Sequence, residues 1–118
     1  MDDKYETLPT GKARIPISKR IKEARMIFGV SQKKLGIMVG INEFSASSRM
    51  NQYERGKHIP DFLTLKRIAK VLLVPVVYFY TEDNNLAKLL FLHEKLDDVA
   101  KERLYNFCKK LHFNLRII

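Results

Sequence analysis

Six hydrogen-bonding side chains fall within nine consecutive residues: Ser47, Ser48, Arg49, Asn51, Gln52 and Arg55. If the segment is helical, the 3.6-residue period sends Ala46, Met50 and Tyr53 to one face and leaves these six projecting from the rest of the helix. Asn and Gln carboxamides can bond adenine bidentately through its major-groove edge. Arg can do the same to guanine, and short serines let a helix axis approach the bases. A face meant only for solvent usually mixes Glu with Lys, whereas none of these six is acidic. The chemistry on offer is hydrogen bonding to base edges.

Such a helix needs others to aim it, and the surrounding pattern supplies them. Ser18 is placed to cap a first helix in which Ile21, Ala24, Ile27 and Phe28 recur at helical spacing before Gly29 stops it. Ser31 can cap a second, with Leu35, Met38 and Val39 inward and Gly40 at its end. A polar turn over residues 41–44 then leads to Ser45, a candidate cap for the third helix, which Gly56 ends. Asp61 caps a fourth, with Phe62, Leu65, Ile68, Ala69 and Leu72 as its apolar face and Pro75 closing it. Val76–Tyr80 is rich in β-branched and aromatic residues but has no partner strand, so it reads as coil or helix capping the core. Leucines at 86, 89, 90, 96, 104 and 111 make the region from Asn84 to about Phe113 helical, with Asp97 or Asp98 dividing two helices. Residues 1–16 carry Pro9, Gly11 and Pro16 without apolar periodicity and are expected to be a flexible tail. The expected organisation is a tail (1–16), a four- to five-helix domain (17–81) and a C-terminal helical segment (82–118), all-α throughout.

Composition narrows the classes. The 118 residues suit one compact domain with an added helical segment, and 46% hydrophobic content is ordinary for a globular chain. The longest apolar stretch, residues 71–80, is interrupted by Pro75 and falls well short of the roughly 20 residues a membrane span needs. Asp2, Asp3 and Glu6 at the start are the reverse of a secretory signal, so a cytoplasmic location is expected. Cys108 stands alone, and no Cys/His spacing fits structural zinc; no metal, cofactor or small-molecule ligand is expected. The net charge of +9 is unevenly spread: residues 11–70 carry fourteen Lys/Arg against Glu23, Glu43, Glu54 and Asp61, while residues 71–118 carry seven against six. A basic excess confined to the first half implies a polyanionic partner for that half, nucleic acid or an anionic membrane surface.

Residues 18–80 resemble the Cro and phage-repressor family of helix-turn-helix proteins, also called the XRE family. The resemblance is carried by Arg20-Ile21-Lys22-Glu23-Ala24-Arg25, by Ser31-Gln32 followed by Leu35 and Gly40, and by Gln52-Tyr53-Glu54-Arg55-Gly56-Lys57. Pro60, Leu65, Ile68-Ala69 and Val74-Pro75 continue it in the same spacing. It implies a lambda-repressor-like fold and a sequence-specific DNA-binding regulator of transcription, a repressor, working as a homodimer on a palindromic double-stranded operator. It further implies base contacts from Ser47, Ser48, Arg49, Asn51 and Gln52 and phosphate contacts from Gln32, Arg55 and Lys57. Arg25 and Glu54 would form an ion pair buckling the first helix to the recognition helix. Lys33, Lys34, Lys66 and Lys70 read as solvated lysines.

The sequence departs from the family between Gly40 and Glu54, which is longer here than in the shorter members. Either the turn over residues 41–45 is longer, with Phe44 anchored on the core, or the recognition helix starts a turn earlier, near Asn42. Gly36 stands where the family usually has alanine and lowers helix propensity by about 1 kcal/mol.

Two other classes compete with this reading. Cys108 and His112 lie four apart, with His93 upstream, a spacing at which thiol and imidazole could meet. Without a Gly-rich phosphate loop or paired acids, an enzyme is not expected. An antitoxin or adaptor, whose helix-turn-helix autoregulates while its C-terminal helices bind a partner protein, would share the same DNA-reading half. Leu89, Leu96, Leu104 and Leu111 leave enough apolar stripe for homodimerisation through residues 84–113.

Overall fold

The computed structural model describes residues 16–112; the expected tail, apart from Pro16, and Phe113 lie outside them. Among the described residues there are six α-helices, one 3-10 helix and no strand: α1 (Ile17–Phe28), α2 (Gln32–Met38), α3 (Glu43–Glu54), α4 (Phe62–Leu72), the 3-10 helix Val76–Tyr80, α5 (Asn84–Glu94) and α6 (Asp98–Leu111). None is long and apolar enough to cross a membrane. The architecture is the all-α, lambda-repressor-like one expected, with two further helices after it.

Side-chain caps set most of the helix starts. Ser31, Asp61, Asp83 and Asp97 accept from the amides of Lys34, Thr64, Leu86 and Ala100 at 2.8–3.0 Å, each satisfying a donor that a helix start leaves free. The Thr64 amide, aided by the Thr64 hydroxyl, holds the Asp61 carboxyl below the usual carboxylate range. Of the two aspartates that could divide the C-terminal helices, Asp97 is the cap.

Ser18 does not cap α1. The helix begins two residues earlier than a Ser18 cap would set it, with Pro16 at the N-cap and the Pro16 carbonyl accepting from the Arg20 amide at 2.9 Å. The earlier start brings Ile17 into the buried series Ile17, Ile21, Ala24, one stripe at i, i+4, i+7. Ile27 and Phe28, expected inward, are exposed: Ile27 has rotated off that stripe and lines a groove beside Phe91 and Leu92.

α2 and α3 form the tightest pair in the molecule. A Cβ added at Gly36 would stand 2.8 Å from both the Cβ and the carbonyl oxygen of Ala46, so the missing side chain is what lets the two backbones meet. Turning Gly36 toward α3 turns Met38 outward, and Met38, expected in the core, is 43% exposed. Phe62 is likewise exposed; it occupies the first turn of α4, with the Lys66 ammonium 5.8 Å from its ring centre. Leu65, Ile68, Ala69 and Leu72 carry the buried face of α4, and Ala46, Met50 and Tyr53 that of α3.

Val76–Tyr80 closes the core as a 3-10 helix that buries Tyr78 and Phe79. Leu73, at φ 60°, makes the left-handed turn that leads into it. Burial in α5 is limited to Ala87, and α6 buries nothing. A main polar anchor of this segment on the domain is Arg20 of α1, whose side chain is 1% exposed. Its guanidinium donates to the carbonyls of Thr81 (2.9 Å) and Glu82 (3.1 Å), to Asn84 Oδ1 (3.0 Å) and to Glu23 (3.2 Å). The Tyr78 hydroxyl also donates to Glu23, and burial followed by that bond raises its pKa.

The Gly36 contact gives a test of packing against propensity. Gly36→Ala should improve the intrinsic helix propensity of α2 by about 1 kcal/mol yet destabilise the protein by about 1–3 kcal/mol, because Ala46 presents backbone as well as side chain to the new methyl. A urea midpoint that stays level or rises would show that α2 and α3 can separate freely.

Candidate nucleic-acid interface

Seen down the axis of α3, the buried residues Ala46, Met50 and Tyr53 define one side, and Phe44, Ser48, Asn51 and Arg55 lie nearest the opposite one. Ser47, Ser48 and Arg49 are exposed, and Asn51 and Gln52 are half-buried. Ser47 flanks the outward face on one side and Gln52 on the other, with Arg49 further toward α4. Arg49 and Gln52 line a cleft of about 450 Å³ with His58, Asp61 and Thr64.

The two alternatives for the lengthened turn are resolved by Asn42. Its Oδ1 accepts from the Phe44 amide at 2.9 Å, so α3 starts a turn earlier than a Ser45 cap would place it. Ser45 is inside the helix, and its hydroxyl lies 3.5 Å from the Asn42 carbonyl. Phe44 is not anchored on the core: it is 97% exposed. Ala46 stays fully buried, so the earlier start extends the outward face without turning Ala46 into it.

Below this face lies a polar network centred on Glu54, whose side chain is 2% exposed. Arg25 meets it with both arms of its fork, Nε to Oε2 at 2.5 Å and Nη2 to Oε1 at 3.0 Å, and gives Nη1 to the Val30 carbonyl at 2.9 Å. Gln32 donates to Glu54 Oε1 at 3.0 Å and accepts from Asn51 Nδ2 at 3.4 Å. The Gln32 carboxamide is thus a bridge between α2 and α3. Its backbone N–H, in the first turn of α2, points out of the helix start beside Ser31, where a phosphate oxygen could be held.

Past α3, Arg55 is the C-cap and Gly56 turns the chain at φ 74°. The Lys57 amide bonds back to the Gln52 carbonyl at 3.0 Å, and the Arg55, Lys57 and His58 side chains are all exposed at this end. His58 was not singled out in the sequence; its signal was its place directly after Lys57. Cys108 is exposed on α6, and among the described residues no three His, Cys, Asp or Glu side chains cluster to hold a metal.

Because Glu54 is buried, the ion pair should fail asymmetrically. Arg25→Met leaves a buried carboxylate with Gln32 as its remaining partner and should destabilise the fold by about 3–5 kcal/mol, while Arg25→Met combined with Glu54→Met should recover much of that loss. Chemical unfolding of both variants is the measurement; equal losses in the single and double variants would mean that charge pairing is not what Arg25 provides.

A helix-turn-helix family model matches residues 21–79, half of the chain. The crystal structure of transcriptional regulator BswR is similar to this chain with a TM-score of 0.76 and 44% sequence identity, over 80% of this chain and 93% of that one. That likeness extends past residues 21–79, because 80% of the chain exceeds the span of the family match. No curated protein sequence matches the chain. With the α2–α3 pair, its Gly36 contact and its Glu54 network, these matches make the chain a member of the Cro/phage-repressor-like (XRE) helix-turn-helix family of DNA-binding transcriptional regulators.

Proposed function

We propose that this protein is a sequence-specific repressor that binds a palindromic operator as a homodimer, with α3 of each subunit in the major groove of one half-site. The observation that carries this reading is the outward side of α3, where neutral hydrogen-bonding side chains and arginine surround a buried bracing network. Asn51 and Gln52 have the carboxamides that pair with adenine, Arg49 the fork that pairs with guanine, and Ser47 and Ser48 the short hydroxyls of a close approach. Gln32 through its backbone N–H, Arg55 and Lys57 would hold phosphates on either side of the groove. Repression follows from occupancy, and such a protein works where the chromosome is, in the cytoplasm.

The second subunit is supported by α5 and α6. Leu86, Leu89 and Leu92 on α5 and Val99, Phe107 and Leu111 on α6 are exposed, and Ala100, Leu104, Phe107 and Leu111 follow a coiled-coil-like spacing. An apolar helix face left in water is a docking face. Two-fold pairing there would set two α3 helices against successive major grooves.

Selection of bound sequences from random duplex DNA should return a symmetric motif; an asymmetric or absent motif would sink the operator reading. Gln52→Ala should relax preference at one base pair of each half-site, by about 1–3 kcal/mol of lost discrimination. Lys57→Ala should weaken binding to every sequence and lower the slope of log K against log salt by about one. Intact specificity in Gln52→Ala would place the wrong residue in the groove.

Phe107→Asp combined with Leu111→Asp, both at exposed positions of the full chain, should shift sedimentation equilibrium toward monomer and weaken operator binding together. A wild-type chain that is already monomeric would instead favour a partner protein on the same helices, as in an antitoxin or adaptor.

A further inference from the structure

Phe44 is the most exposed large apolar side chain among the described residues, at 97%, whereas Tyr78 and Phe79 are fully buried. It stands in the first turn of α3, where the Asn42 carboxamide fixes its backbone amide at 2.9 Å. Counting along the helix, Ser48, Asn51 and Arg55 follow Phe44 at i+4, i+7 and i+11, so the ring shares the middle of the outward side with them. Glu43, the acid in this turn, is carried to the flank, 4.0 Å from the Lys33 ammonium. The surface therefore presents one aromatic ring at its leading end, continuous with the hydrogen-bonding groups behind it. The first residues of a recognition helix are those that reach base edges.

The major groove projects one apolar group toward such a ring, the 5-methyl of thymine. We propose that Phe44 reads a thymine methyl at the end of each half-site that the start of α3 reaches. This rests on the operator reading above and adds to it a residue and a base. Contact with the ring removes the methyl and one face of the phenyl group from water. It needs no hydrogen bond, so it discriminates thymine from cytosine and from uracil by the methyl alone.

Deoxyuracil in place of thymine deletes that methyl and leaves the pairing intact. Each thymine of the selected operator is replaced in turn, symmetrically in both half-sites, and the full-length protein is titrated by fluorescence anisotropy. One replacement should weaken binding about 3- to 5-fold per half-site, the worth of burying about one methyl group. Phe44→Ala should bind the thymine operator more weakly by a similar factor and be indifferent to uracil at that same position. Its fold is checked by thermal unfolding, which should be unchanged because the ring contributes nothing to the core. Equal uracil sensitivity in wild type and Phe44→Ala would overturn the assignment. So would a loss of self-association in Phe44→Ala with uracil sensitivity retained, because the ring would then be meeting another copy of the chain. Failure to select any sequence would overturn the operator reading itself and the thymine contact with it, whereas a selected operator indifferent to every uracil would overturn the thymine contact alone.

Discussion

Glu54 is a carboxylate removed from water at the last position of α3, and that removal is tolerable because side chains from two other helices converge on it. Arg25 reaches it from α1 with two donors, and Gln32 reaches it from α2 with a third. Nη1 of Arg25 also holds Val30 in the connection between α1 and α2. A buried ion pair adds little net stability over an apolar isostere, but it tolerates few alternative geometries. Here that intolerance fixes the angle at which α3 leaves the body of the domain. Asn51 is drawn in through Gln32, so one side chain of the outward face is oriented by the same network that sets the helix.

A second buried cation does for the C-terminal helices what Arg25 does for α3. Arg20 occupies the next turn of α1 toward its N-terminus, and its guanidinium donates to the Thr81 and Glu82 carbonyls and the Asn84 side chain at the junction before α5, as well as to Glu23. α5 packs on the core through buried Ala87 and half-buried Phe91, which meets the Tyr78 ring, while α6 buries nothing. Lys95 adds a brace near the end of α5, its ammonium 3.5 Å from the Phe91 ring centre and 3.0 Å from the Leu73 carbonyl. The partial burial of that ammonium lowers its pKa. α1 therefore carries both anchors, one toward α3 and one toward the exposed leucine faces.

Sequence periodicity identified the inward residues of α3 because apolar residues at helical spacing have one consistent solution there, while the lack of a partner strand left Val76–Tyr80 as coil or helix capping the core, and it is a 3-10 helix. Side-chain chemistry identified Ser31 and Asp61 as caps and left Asp97 and Asp98 as alternatives, of which Asp97 is the cap. The sequence pattern misplaced the start of α1 at Ser18 rather than Pro16, and it left the start of α3 open between Ser45 and Asn42. At α1 packing decides by burying Ile17, whereas at α3 the Asn42 side chain decides by accepting from the Phe44 amide, and Ala46 is inward with either start. Gly36 read as a weak spot in a helix, since nothing in one helix shows that a neighbour passes within a van der Waals contact of it. Turning Gly36 inward moved Met38 out, so one glycine accounts for two departures. Phe44 was read either as a core anchor or as part of an earlier helix start, and apolar character alone favours the first; its exposure follows from the Asn42 cap, a single side-chain hydrogen bond.

The charge distribution fits this division of labour. The half that would meet a polyanion carries nearly all of the excess positive charge, and the segment 71–118, which would meet its own copy, is close to neutral with seven cations against six anions. Two identical faces with a large net charge of one sign would repel across a two-fold axis. Near-neutrality with exposed leucines and a phenylalanine is the composition that lets the same surface appear twice in one interface. Concentrating the basic residues in the first half keeps the long-range attraction to DNA while leaving the proposed dimer face free of that repulsion. The outward side of α3 applies the same logic at short range: its charges are the arginines Arg49 and Arg55, and the neutral groups beside them, Ser48, Asn51 and Gln52, can give up water without leaving a buried charge behind.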